Sequence, residues 1–134
     1  MIPKINTIDL ITKDQKEELI ISTINKLIDL QKPLFLKDGP TITWDIQKGY
    51  NAHVTLKGNR TLVITNLTPG DYGTIVVSQD IVGARTLTVP AGSIVSNNGL
   101  GSLTLTPIVY AKDIVCFYYD QNEVLNFNVV NNLT

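Results

Sequence analysis

One cysteine, one histidine and one tryptophan in 134 residues leave little material for the common catalytic and metal centres. A lone thiol has no intrachain disulfide partner and no second sulfur for a metal site. Cys116 lies inside the run Asp113-Ile-Val-Cys-Phe-Tyr-Tyr119, which predicts a buried small hydrophobe. The only histidine, His53, stands in an alternating segment between Ala52 and Val54 and is expected to be exposed or hydrogen-bonded. With no second His or Cys, a zinc site would have to draw carboxylates from scattered strands. Charge is also scarce, 17% of residues with a formal net charge of −1. That balance offers no basic field for nucleic acid. No stretch reaches the roughly 18 apolar residues of a membrane helix, so no membrane insertion is expected. The start, Met1-Ile-Pro-Lys-Ile-Asn6, has neither the basic region nor the apolar core of a signal peptide. The chain is therefore expected to be made soluble, inside the cell that synthesises it.

Three further patterns are weak as chemistry. The carboxylates after residue 40 (Asp45, Asp71, Asp80, Asp113, Asp120, Glu123) mostly fall at strand ends or turns, where they cap backbone. A glycosidase needs two of them facing each other across a cleft. Nothing in the sequence brings Asp45, Asp80 and Asp113 together. Asn98-Gly-Leu-Gly101 lacks the following helix that a phosphate loop requires. The Asn-x-Thr triplets at Asn59, Asn66 and Asn132 read as chance matches in a chain rich in both residues. No enzyme activity and no cofactor are expected.

What the chain does have is a sharp change of pattern near Lys37-Asp-Gly-Pro40. Residues 1–38 contain six lysines and six carboxylates and no glycine; all nine glycines and all five tyrosines follow. Such a shift marks a change from helix to sheet. Three parts result: an arm over 1–12, a helix and linker over 13–38, and a β domain over 39–134.

Thr12 is a suitable N-cap, and Lys13-Asp-Gln-Lys-Glu-Glu18 places acids near the positive end of the helix dipole. Ile20, Ile24, Leu27 and Gln31 recur at spacings of four, three and four, a heptad-like seam. Leu19, Ile21, Ile28 and Leu30 widen it. Lys32, preceding Pro33, is expected to end the helix. So apolar a helix must find cover, and two outcomes are open: packing on its own β domain, or self-association. The wide face of the second favours three strands over two.

Beyond residue 40, threonine alternates with aliphatics in eight segments: 41–46, 52–56, 61–64, 73–77, 85–89, 102–106, 113–119 and 124–130. Turn residues separate them at intervals of about 8–12 residues. The alternation predicts one dry face and one hydroxyl-bearing face, as in antiparallel strands with a single buried side. The expected fold is an antiparallel, jelly-roll-like β-sandwich of about eight strands preceded by one α-helix. Gly58-Asn-Arg-Thr-Leu62 is echoed by Gly83-Ala-Arg-Thr-Leu87, which reads as a recurring turn-into-strand device. Arg60 and Arg85 are the only arginines. Two roles are open for them, ion pairs with Asp80 or Asp113 that tie loops together, or a surface contact for a partner. Tyr50 and Tyr72, with Trp44, are candidates for stacking on sugars, although Trp44 suits the core.

The ordered series Gly58-Asn-Arg-Thr-Leu62, Gln79-Asp80, Gly83-Ala-Arg-Thr-Leu87, Pro90-Ala-Gly92, Ala111-Lys-Asp-Ile-Val115 and Tyr119-Asp120 resembles a small β domain of bacteriophage virion proteins. That domain occurs in tail-fibre modules and in head fibres. The likeness covers about two-thirds of the chain, Trp44 to Asn131. It departs at Gln121, where glycine is usual, and leaves the first 40 residues unmatched. The resemblance implies a homotrimeric appendage with no catalytic residue to carry over, residing in the virion and bound to other virion proteins. The shortness of the chain suits a head fibre or capsid decoration. In that arrangement Ile2, Pro3, Ile5 and Ile8 of the arm dock to the capsid, and Ile20, Ile24, Leu27 and Gln31 join the copies. A tail, collar or baseplate part, or a carbohydrate-binding module contacting a host surface glycan, is the alternative.

Overall fold

The computed structural model describes residues 12–96 and 103–131. The arm residues Ile2, Pro3, Ile5 and Ile8 lie outside the described residues.

Helix α1 spans Lys13–Gln31. Its start is a capping box. The Gln15 backbone N–H donates to the Thr12 hydroxyl, and the Thr12 N–H donates to the Gln15 side chain, so two otherwise orphaned donors are satisfied. Its end is set by Pro33, which cannot extend the i to i−4 ladder. Among the described residues follow nine strands: β1 Pro33–Phe35, β2 Thr41–Asp45, β3 Asn51–Leu56, β4 Arg60–Thr65, β5 Tyr72–Gln79, β6 Leu87–Thr88, β7 Ile94–Val95, β8 Lys112–Tyr119 and β9 Leu125–Val130. A 3-10 turn, Ile46–Lys48, lies between β2 and β3.

The protein is mainly β, with a six-stranded sheet ordered β1-β3-β5-β8-β9-β7 and a three-stranded sheet ordered β2-β4-β6. The chain alternates between them, so that β1 to β2, β3 to β4 and β5 to β6 form three successive turns. Strands of successive turns therefore pair in parallel. Among the described residues only β5 with β8 and β8 with β9 are antiparallel. This corrects the expected antiparallel jelly-roll pairing. The period-two pattern suggests antiparallel pairing because parallel sheets are usually covered on both faces by crossover helices. Here the crossover is a strand of the other sheet, which leaves one face of each parallel ladder open. The segment 102–106 is also no strand in its described part, 103–106.

Alternate residues of both sheets enter one core. Ile42, Trp44, Leu62, Ile64 and Leu87 from the small sheet meet Val54, Leu56, Ile75, Val115, Phe117 and Phe127 from the large one. Trp44 is fully buried, and its indole N–H donates to the Gly49 carbonyl at 2.8 Å. The segment 33–38, read as linker, belongs to this unit. β1 is the edge of the large sheet, and Leu34 and Leu36 pack on the core.

The two echoing pentapeptides lead into adjacent strands. Arg60 lies opposite Leu87 where β4 and β6 pair, and the Arg60 N–H donates to the Thr86 carbonyl. The echo thus marks successive turns of the winding.

Candidate interaction site

Helix α1 contains no buried residue. Its hydrogen bonds to the β domain come from its C-terminal end. The Tyr50 N–H donates to the Leu30 carbonyl and the Asn51 amide to the Gln31 carbonyl, both at 2.8 Å. These contacts satisfy two of the last carbonyls, which an α-helix leaves without partners, and so latch the helix base to the domain. Farther from the base, Ile20, Ile21, Ile24, Leu27 and Ile28 remain 40–57% exposed. At 100° per residue they share one arc about 120° wide. Gln31, at the seam's last position, is exposed at the base. Of the two outcomes open from the sequence, packing of this helix on its own domain is not the one the structure shows.

The other candidates lie on the β domain. Arg60 makes two hydrogen bonds to the Asp38 carboxylate, at 2.9 and 2.8 Å. Arg85 pairs with Asp80 in the same way, at 3.2 and 3.0 Å. Arg85 thus takes one of the partners named for it, whereas Arg60 takes Asp38. The Arg85 guanidinium, together with the backbone N–H groups of Gly83 and Val82, brings the Asp80 carboxyl down to about 2. The Arg60 hydrogen bond likewise holds Asp38 below the usual carboxylate range. Both pairs are partly buried and act within the chain.

Tyr50 and Tyr72 do come together, their ring centroids 6.1 Å apart. Tyr50 is half-buried against the core, while Tyr72 is 66% exposed. Trp44, wholly buried, presents no face to a ligand. Cys116 was expected inside and is instead exposed. It occupies an outward-pointing position of β8, because Val115 and Phe117 take the core side.

Two surfaces had no sequence signal. The loops at 80–84 and 107–111 lie side by side at the end of the large sheet opposite the helix. There Ile81, Val82, Ile108 and Tyr110 are each more than 60% exposed. The loops are held firmly, since the Ala84 N–H donates to the Pro107 carbonyl. Gly83 has φ +76°, and a side chain there would meet the Pro107 oxygen at 2.7 Å. The second surface is the outer face of the large sheet, where Phe35 is 79% exposed and stacks on His53 at 5.3 Å.

Among the described residues no group of three or more His, Cys, Asp or Glu is placed to hold a metal ion. No described helix is long and apolar enough to cross a membrane. An open groove along Thr86–Ser93, closed on one side by Leu103, is lined by no titratable side chain. No protein-family model, no curated protein and no solved structure matches this chain.

Proposed function

We propose that this chain is a non-enzymatic structural protein that assembles through its helix and binds other proteins. In this reading it is a short trimeric head fibre or capsid decoration of a phage virion. The observation that carries self-assembly is the apolar arc of α1, which stands clear of its own domain. Burying a Leu or Ile side chain contributes roughly 1.5–3 kcal/mol. A helix of this length is marginal alone in water, so leaving five such side chains half exposed is unfavourable unless another helix covers them. The virion assignment rests on the pentapeptide series and its resemblance to phage β domains. The aliphatic tip at 80–84 and 107–111, pointing away from the helix, suits an outward contact.

A second reading has its own observation. Tyr72 and Tyr118 lie opposite each other on neighbouring strands, both exposed, with Asn126 beside them. Aromatic faces next to amides are a sugar-binding combination, which favours a module for a host surface glycan, or a tail, collar or baseplate part carrying one.

The test is the mass of the full-length protein by light scattering, beside the double variant Ile24→Asp/Leu27→Asp. A wild-type trimer that becomes a soluble monomer in the variant supports the assembly. A wild-type monomer at all concentrations removes it and moves the glycan-binding module ahead.

A further inference from the structure

The stem is short for the work assigned to it. Ile20, Ile24 and Leu27 form the apolar layers of the seam, roughly one and a half heptads, where sustained coiled coils run to about three or four. A stable interface needs roughly 1,200 Å² or more of buried surface, so further surface is needed at the helix base.

The outer face of the large sheet offers it at the right end. β3 and β5 both start beside the helix base, since Tyr50 donates to the Leu30 carbonyl and the Thr74 N–H donates to the Tyr50 carbonyl. From that end, three rows cross the open face in register. The first contains Tyr72, Tyr118, Asn126 and Ile94. The second runs Pro33, Asn51, Thr74, Cys116, Asn128, and the third Phe35, His53, Val76, Ile114, Val130. None of these rows contains a Lys, Arg, Asp or Glu; charge begins at the rim, with Asp120 hydrogen-bonded to Asn126 at the stem end and Lys112 beside Ser78 one row beyond the third. Depletion of charge together with exposed aromatics marks the centre of protein interfaces rather than open surface.

The same absence indicates which partner fits. Close to a symmetry axis a residue meets its own copies, so a charge there would face its like. A charge-free patch avoids that cost. Position adds to this, because Phe35 follows Gln31 by four residues and packed helices sit about 8–10 Å apart. Joined stems would hold neighbouring faces at roughly millimolar effective concentration. Resting on the self-association proposed above, we infer that the stem-proximal outer face of the large sheet, from the Cys116 row to the row Phe35–His53–Val76–Ile114–Val130, is buried against a second copy of this chain.

Cys116 reports on this face without any substitution, since it is exposed in the single chain and lies in the middle row. The experiment compares the rate of its reaction with a small maleimide in the full-length protein and in Ile24→Asp/Leu27→Asp, with the mass of each followed by light scattering. The expected result is a rate at least tenfold slower in the wild-type assembly. Equal rates while the wild type remains oligomeric overturn the inference and leave the stem reading standing; a monomeric wild type overturns both. Phe35→Ser, at an exposed edge position, is expected to raise the dissociation concentration tenfold or more with no change in the urea midpoint of the monomer. An unchanged dissociation concentration counts against the inference. Protection of Cys116 in the monomeric variant by N-acetylglucosamine oligomers, with none from assembly, would assign the face to sugar and overturn it as well.

Discussion

Trp44 stands edge-on to Phe117, with ring centroids 5.2 Å apart and planes at 85°. The contact joins β2 of the small sheet to β8 of the large one, through two residues more than 70 positions apart in the chain. Edge-to-face geometry is a preferred arrangement of aromatic pairs and contributes about 0.5–1.5 kcal/mol beyond area burial. Above the pair lies Gly73, whose missing side chain makes the approach possible. A Cβ there would sit 2.8 Å from Trp44 and 2.9 Å from Phe117.

Gly73→Ala is therefore expected to destabilise the β domain by about 1–3 kcal/mol, the usual cost of overpacking. Urea unfolding followed by tryptophan fluorescence measures it. Combining it with Trp44→Phe removes the ring atoms nearest the new methyl. The double variant should then lose less than the sum of the two singles, because contacting residues couple.

Asp113 is 1% exposed and accepts hydrogen bonds from the Thr106 N–H at 2.6 Å and the Thr106 hydroxyl at 2.7 Å. It holds the irregular segment before β8 against the sheet. Asp113→Asn places an NH2 where one of these donors now finds an oxygen. Leaving a buried donor unpaired costs about 1–3 kcal/mol, so a loss of that size is expected by urea titration at pH 7.

Acid should weaken the fold through the capped carboxylates. Asp80, Asp38, Asp45 and Asp120 are all lowered in the folded chain from 3.8, Asp80 to about 2. A lowered folded value means that the unfolded chain binds protons first as pH falls. The contribution is present in full above about pH 4 and is lost as pH falls toward about 2. Asp80→Asn is expected to lower the urea midpoint at pH 7, and its difference from wild type should shrink by pH 2. A difference independent of pH would assign the loss to packing instead.

The helicity of the stem should depend on protein concentration. Nineteen residues with no intrachain cover make a marginal helix in water. Ellipticity at 222 nm is expected to fall on dilution in the wild type, and to be low at every concentration in Ile24→Asp/Leu27→Asp. Constant helicity in a monomer would mean that the helix is stable without partners.

Local patterns were legible from the chain wherever they depended on neighbours a few residues away. Thr12 as cap and Pro33 as the end of the helix follow from backbone donors and acceptors alone. The seam at Ile20, Ile24 and Leu27 was equally plain. Strand direction was not, because period two specifies which side chains share a face and is identical for parallel and antiparallel pairing. Cys116 was misplaced for a related reason. In a continuous apolar run the phase of the strand is ambiguous, and only the pairing of β8 with β5 and β9 turns Cys116 outward. The echo of Gly58–Leu62 in Gly83–Leu87 did contain part of the missing information, since its two copies fall on successive turns of the winding.

The sequence by itself determined the helix, its two ends, its apolar arc and the dry side of most strands, since each depends on local geometry and periodicity. Tertiary structure alone decided that the strands wind in parallel between two sheets and that Arg60 takes Asp38. It also decided that the helix stands clear of its domain and that a charge-free face opens beside the helix base. Those relations join residues far apart in the chain, and they follow from which surfaces one shared core leaves uncovered.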